Sequence, residues 1–166
     1  MKTQRTNKVI FVMGVSGSGK TTVGRLLAQA IAVPFIDADD HHPAENIDKM
    51  SRGVPLDDHD RAPWLDALSQ IAQDHINTGC VIACSALKEA YRKRLTQSKA
   101  VDALWVYLKG TYDQIFDRMQ NREGHFMEAA MLQSQFDALE EPTHALVVNI
   151  EDSLEAIVQK IKSDLR

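Results

Sequence analysis

The chain has 166 residues, 44% hydrophobic and 25% charged, enough apolar material for one ordinary core and the length of one domain. A formal net charge of −4 and a pI near 5.8 argue against nonspecific attraction to nucleic acid or to an anionic membrane surface. Any cationic patch must then serve a small anion.

The first eight residues are basic, and the apolar stretch from Val9 to Val15 after them looks superficially like a signal peptide. Ser16, Gly17, Ser18, Gly19 and Lys20 break it before an apolar region and cleavage site are complete. No other stretch approaches the ~20 apolar residues of a membrane span, so a soluble cytoplasmic protein is expected. Val9 to Met13, a continuous apolar run ending at a glycine, reads as a strand buried on both faces. Lys20 to Ile31 then reads as a helix, with Val23, Leu26, Leu27 and Ile31 on one face.

Between them, Gly14-Val15-Ser16-Gly17-Ser18-Gly19-Lys20-Thr21 fits G-x-x-x-x-G-K-[ST] in the strand-to-helix context that the phosphate-binding motif needs. The glycines let successive backbone N–H groups point inward at phosphate oxygens, and the helix aims its positive end at the same place. Lys20 is expected to reach the β- and γ-phosphates of ATP, and the Thr21 hydroxyl to bind Mg²⁺. A phosphate loop alone leaves kinase, GTPase and mechanical ATPase open. No Asn-Lys-x-Asp run for guanine follows a late strand, and the chain is too short for most motor machinery, which favours a small-molecule kinase.

Val33 to Ile36 is the next candidate strand, and it delivers Asp37-Ala38-Asp39-Asp40-His41-His42-Pro43 to its C-terminal end, where open α/β sheets bind ligands. Phosphoryl transfer needs one carboxylate beside the water shell of Mg²⁺ and another to orient the attacking hydroxyl. If strand geometry persists, Asp37 and Asp39 point to one side; the alternative is a solvated acidic loop with a helix cap. His41 and His42 fit hydrogen bonding better than zinc, because adjacent residues rarely face one ion. The polar segment 37–63 is where an acceptor site is expected. Arg61 in it has a fork suited to a carboxylate, against a surface ion pair with Asp57, Asp58 or Asp60.

Helical patterns follow at Trp64 to Ile76, Glu89 to Thr96, Tyr112 to Arg122 and Glu128 to Leu139, and strands at Val81 to Cys84, Leu104 to Leu108 and Leu146 to Ile150. Cys80 and Cys84 read as buried free thiols, and Trp64 and Trp105 as packing groups. Arg118 and Arg122 share a helical face, and Gly124 can end that helix and act as the hinge of a lid. Asp152 is the expected N-cap of a C-terminal helix. Alternation of strands and helices implies parallel strands joined by right-handed crossovers, in a three-layer α/β domain over residues 1–166.

The chain resembles the bacterial gluconokinases, in the shikimate-kinase-like branch of P-loop small-molecule kinases. The resemblance rests on 14–21, on 37–43 with Asn46, Lys49 and Met50, on 53–56, on Asp60-Arg61-Ala62-Pro63-Trp64-Leu65, on 84–88 with Tyr91 and Arg92, and on Gly124-His125-Phe126-Met127 with Ser134-Gln135-Phe136. It implies ATP-dependent phosphorylation of D-gluconate at its terminal hydroxyl, with Mg²⁺, commonly in a homodimer. It also implies a five-stranded parallel sheet with helices on both faces and a mobile lid at about 118–135. On this comparison Lys20, Asp39 and Arg122 are catalytic, and Thr21 and Asp37 stand on the metal side, Asp37 through water. Gly14 to Thr22 and Arg118 hold the nucleotide. Asp39, His42, Lys49, Arg61, Lys88, Arg92, His125 and Gln135 face the acceptor. Another small hydroxylated acid as acceptor, or a nonenzymatic ATP sensor, are the competing readings.

Overall fold

Val9–Met13 forms strand β1, and all five residues are buried because the strand is covered from both sides. Alternating side chains separate the two layers. Ile10 and Val12 enter one core with Val23, Leu27 and Ile31. Val9, Phe11 and Met13 enter the other with Trp64, Leu65 and Leu68. The computed structural model describes residues 6–121 and 129–165, and in it β1 is the central strand of a five-stranded parallel sheet.

The elements follow in the order β1, α1 (Lys20–Ile31), β2 (Phe35–Asp37), a 3₁₀ turn (Ala38–His41), α2 (Ala44–Ser51) and α3 (Asp58–Asp74). Then come β3 (Cys80–Ala83), α4 (Glu89–Leu95), β4 (Ala103–Lys109), α5 (Tyr112–Gln120), α6 (Ala129–Ala138), β5 (Leu146–Asn149) and α7 (Leu154–Asp164). The strand order is β2-β3-β1-β4-β5. Ile10 lies beside Val81 on one side and Leu104 on the other. The chain therefore crosses to β3 on one side of β1 and to β4 on the other, and the loop after β1 opens at the point where the order reverses, the usual ligand crevice of such sheets.

Helices α1 and α7 cover one face, with Val23, Leu27, Ile157 and Ile161 in a shared core. The first packs closely: a Cβ on Gly24 would stand 2.6 Å from the Phe35 ring. Helices α3 and α4 cover the other face through Trp64, Leu65, Leu68, Ala72 and Leu95. Cys80 and Cys84 are buried free thiols in the same layer, and Trp105 stacks on Phe11 at 4.4 Å between ring centroids.

Three expected boundaries move. Helix α3 starts at Asp58, not Trp64, because Asp57 and Asp60 form a reciprocal capping box and Pro63 is carried inside the helix. Segment 37–63 contains the 3₁₀ turn and α2, so much of it is regular structure. The N-cap of α7 is Ser153, whose Oγ accepts the Ala156 N–H at 3.1 Å, not Asp152. Among the described residues no helix is long and apolar enough to cross a membrane.

Candidate active site

The loop from Gly14 to Thr21 joins β1 to the first turn of α1. Two of its glycines are required by the turn itself. Gly17 has φ +81°, and a Cβ there would lie 2.8 Å from Met119 Cγ; Gly19, at φ +98°, is the left-handed N-cap of α1. Lys20 folds back over the loop, and its Nζ donates to the carbonyls of Gly14 and Val15 at 3.0 Å each. Burial pulls the Lys20 pKa down, while Asp39, Cys84 and Asp37 act in the opposite direction. Ser18 is buried in the loop, Thr21 is half-buried and Thr22 exposed.

The two acidic candidates act on Lys20 through space, and they are placed by a different route from the one strand alternation suggests. β2 ends at Asp37, and Asp37 caps the 3₁₀ turn, its Oδ1 accepting the Asp39 N–H at 3.0 Å. The cap and the carboxylate pair thus coexist. Desolvation first, and Asp37 second, raise the pKa of Asp39, against Lys20 and His42, although its side chain is exposed on the turn and water keeps the effect modest. His42 stacks on Trp64 at 4.3 Å, and its Nδ1 accepts from Asn46 Nδ2 at 3.2 Å, so its proton belongs on Nε2. Burial is the main cause that lowers its pKa. Trp64 Nε1 in turn donates to the Ala38 carbonyl at 2.7 Å, fastening the acidic turn to α3.

Beside this turn lies a cavity of about 330 Å³ lined by Arg61, Trp64, Lys88, Tyr91, Ser134 and Gln135 among others. Arg61 Cζ and Lys88 Nζ each stand 5.6 Å from the Tyr91 ring centroid. Asp58 faces the same cluster: the Tyr91 hydroxyl donates to its Oδ1 in a short hydrogen bond, with Lys88 at 3.7 Å and Arg61 at 3.8 Å. The Tyr91 bond is the first cause of the lowered Asp58 pKa. Asp58 was expected only as a surface partner of Arg61, and Tyr91 had no site role. The signal available in the sequence was the spacing of Asp58 and Arg61 by three residues, which puts them on one helical face.

Two residues expected in the acceptor pocket are engaged elsewhere. Lys49 Nζ is held by both carboxylate oxygens of Asp60, at 2.9 and 2.8 Å. Arg92 is buried, and its guanidinium donates to the carbonyls of Ala86 at 2.7 Å and Glu140 at 2.8 Å. It is a brace for the 84–88 loop, where Ala86 adopts φ +44°.

Arg118 lies on the phosphate-loop side. Its Nη2 makes a short hydrogen bond to the Ile150 carbonyl, and a Cβ on Gly19 would be 3.9 Å from Nη1. Gln135, on α6, reaches the loop from above: its Oε1 accepts the Ser16 N–H at 2.7 Å and its Nε2 donates to Ser16 Oγ at 3.2 Å. Arg122 and His125 lie outside the described residues.

A central phosphate loop, a carboxylate pair and a cation-lined cavity on one five-stranded parallel sheet define a P-loop kinase fold. The family model described as shikimate kinase matches residues 16–166. The chain belongs to that family and, within it, to the gluconokinases. It is 52% identical to the thermosensitive gluconokinase of Escherichia coli K12 over 79% of this chain and 71% of that one. With the thermoresistant gluconokinase of the same organism the identity is 42%, over 94% and 92%. A solved gluconokinase from Sinorhizobium meliloti superposes with a TM-score of 0.88 at 41% identity, covering 98% of this chain and 93% of that one. A shikimate kinase from Bacteroides thetaiotaomicron, at 22% identity and TM-score 0.69, shares the fold.

Proposed function

We propose that the protein transfers the γ-phosphoryl group of ATP to the terminal hydroxyl of D-gluconate, giving 6-phospho-D-gluconate and ADP. The observation that carries this reading is the Arg61–Lys88–Tyr91 cavity, whose wall residues Gln135 and Trp64 bond the phosphate loop at Ser16 and the acidic turn at Ala38. A sugar acid offers a carboxylate for the two cations and hydroxyls for Tyr91, Ser134 and Gln135. Its far end is then free to meet Asp39.

In this reading the loop N–H groups and Lys20 hold the phosphates, Lys20 leaving its two carbonyls to follow charge on the transferring group. Asp39 accepts a hydrogen bond from the attacking hydroxyl and takes its proton as the O–P bond forms. Its raised pKa makes it a better proton acceptor than an ordinary aspartate. Arg118 sits on the nucleotide side, and Arg122 and His125 belong to the proposed lid at 118–135. The residues present fit Mg²⁺: hard oxygen donors stand at Thr21 and Asp37, two side chains that leave the remaining positions to other oxygens. That is the donor set of an ion held chiefly by nucleotide phosphates and water. When bound, Mg²⁺ neutralises charge on the β- and γ-phosphates. A homodimer in the cytoplasm is the proposed working form.

Coupled ADP release, measured with ATP and Mg²⁺ plus gluconate, shikimate, glucose or no acceptor, tests the reading. Gluconate should give acceptor-dependent turnover well above the other three. Equal or greater turnover with shikimate would assign a different acid, and nucleotide binding with no acceptor-dependent turnover would make the protein an ATP sensor.

A further inference from the structure

The loop 85–88, between the end of β3 and the start of α4, forms one wall of the cavity through Ser85, Ala86, Leu87 and Lys88. Ala86 holds a left-handed backbone, φ +44°, without being glycine. A Cβ makes that conformation unfavourable, so bonds from outside the turn must impose it. Arg92 supplies them. Its Nη1 donates to the Ala86 carbonyl at 2.7 Å and its Nη2 to the Glu140 carbonyl at 2.8 Å. Ala86 is 2% exposed, so its carbonyl has no water to turn to when the guanidinium is lost. Glu140, just beyond the end of α6, is bonded to the same segment twice more. Its N–H donates to the Leu87 carbonyl at 2.8 Å, and its Oε1 accepts the Glu89 N–H at 2.9 Å.

We infer that Arg92 is a positioning residue for the acceptor cavity: by holding the left-handed turn at Ala86 it sets the place of Lys88 against Tyr91 and Arg61. The inference rests on the reading of this cavity as the acceptor site. Arg92 is not one of the described residues that line the cavity, and its donors are committed to backbone carbonyls. It therefore acts on the acceptor through Lys88. Lys88 and Arg61 stand over one ring, each 5.6 Å from the Tyr91 centroid, and a loop that relaxes at Ala86 carries Lys88 away while Arg61, on α3, stays. Glu140 ties the same wall to α6, which brings Ser134, Gln135 and Ala138 to the cavity. One buried guanidinium thus holds two walls in register. Lys88 would grip the carboxylate end of the acceptor, far from the reacting hydroxyl, so its contact is made equally in the ground and transition states.

Steady-state kinetics on the full chain, in a double-mutant cycle of Arg92→Met and Ala86→Gly, test it. Arg92→Met should raise KM for gluconate about tenfold and leave kcat and KM for ATP within about threefold, as loss of uniform binding requires. In the Ala86→Gly background the same substitution should cost at least about threefold less, because glycine keeps a left-handed φ without a bond to impose it. Glycine restores neither a charge nor a lost core contact. The rescue therefore separates positioning from direct attraction of the acceptor by Arg92 and from general destabilisation. Circular dichroism checks folding; if Arg92→Met does not fold, Arg92→Lys, which keeps the charge and loses the fork, enters the same cycle. A folded Arg92 variant that leaves KM for gluconate unchanged, raises both KM values alike, or costs the same in both backgrounds overturns the inference. The acceptor is gluconate, or shikimate if the wild-type turnover assay selects that acid, so a wrong acceptor and a wrong role for Arg92 give different results.

Discussion

Asp39 owes its character to its neighbours. Its pKa is raised by desolvation and then by Asp37, with Lys20 and His42 opposing. A carboxylate that must be ionised to accept a proton gives an acidic limb in kcat/KM, which reports the free enzyme. That limb should lie above the usual aspartate value of about 3.9. Removing the negative charge of Asp37 removes one of the causes, so Asp37→Asn should move the limb to lower pH, whatever it does to the plateau. A limb that stays in place or moves up would take Asp39 out of the base role. Arg61 owes its proposed role to its fork. Arg61→Lys keeps the charge but not the paired planar donors, and should cost gluconate about 1–3 kcal/mol of binding. Neutral glucose has no carboxylate for that fork. The gluconate-to-glucose ratio of kcat/KM should therefore fall toward unity at fixed Mg-ATP, and an unchanged ratio would leave Arg61 as the ion-pair partner of Asp58.

At the scale of elements, α3 decides the shape of the proposed acceptor cavity, because Asp58 and Arg61 stand in its opening turns and Trp64 follows one turn later. The Asp57 carboxylate accepts the Asp60 N–H at 2.7 Å, and Asp60 Oδ2 accepts the Asp57 N–H at 3.1 Å. Asp57→Ala removes half of that box and should cost about 1 kcal/mol, or about 2–4 °C in Tm. The loosened turn should raise KM for gluconate more than KM for ATP, since the phosphate loop belongs to another element. Equal rises would mean that the cap supports the fold and not the pocket. This start was hard to read in the sequence because Pro63 looked like a boundary, whereas the capping box begins the helix before it. Helix α2 was missed for another reason. Its one buried side chain is Asn46, which donates to the Asp60 carbonyl at 2.9 Å and bonds His42. A helix anchored by an amide leaves no apolar stripe to detect. By contrast the phosphate loop was legible residue by residue, since its glycines and Lys20 answer to one local geometry. The roles of Lys49 and Arg92 were not, since partners such as Asp60 and the Glu140 carbonyl are distant in sequence.

For the whole molecule, five apolar runs alternating with helical patterns were enough to specify a parallel sheet, because crossovers and not hairpins join such strands. The order β2-β3-β1-β4-β5 then brings the ends of three strands around one crevice, and Lys20, Asp37 and Asp39 into one electrostatic unit. That unit should be costly to stability, as sites built for charge transfer commonly are. Lys20 has a lowered pKa, so the native state holds fewer protons than the unfolded chain between that value and 10.5, and stability rises with pH through that window. Asp39 has a raised pKa, so the native state holds more protons from 3.8 up to its folded value, and stability falls with pH there. Between the two windows both groups are charged, and their combined penalty is greatest. The double variant Lys20→Met, Asp39→Asn removes both charges while keeping nearly the same volume. Its Tm should exceed that of the wild type most at pH values between the two windows, by a small shift, because solvent around the exposed Asp39 and the half-buried Lys20 screens the penalty. The advantage should shrink toward both acid and alkaline pH, giving a bell-shaped difference curve, while turnover falls about 10²-fold or more. Melting curves at a series of pH values provide the measurement. A double variant that melts at or below the wild type at every pH would mean that the Lys20 bonds to the Gly14 and Val15 carbonyls outweigh the cost of its charge.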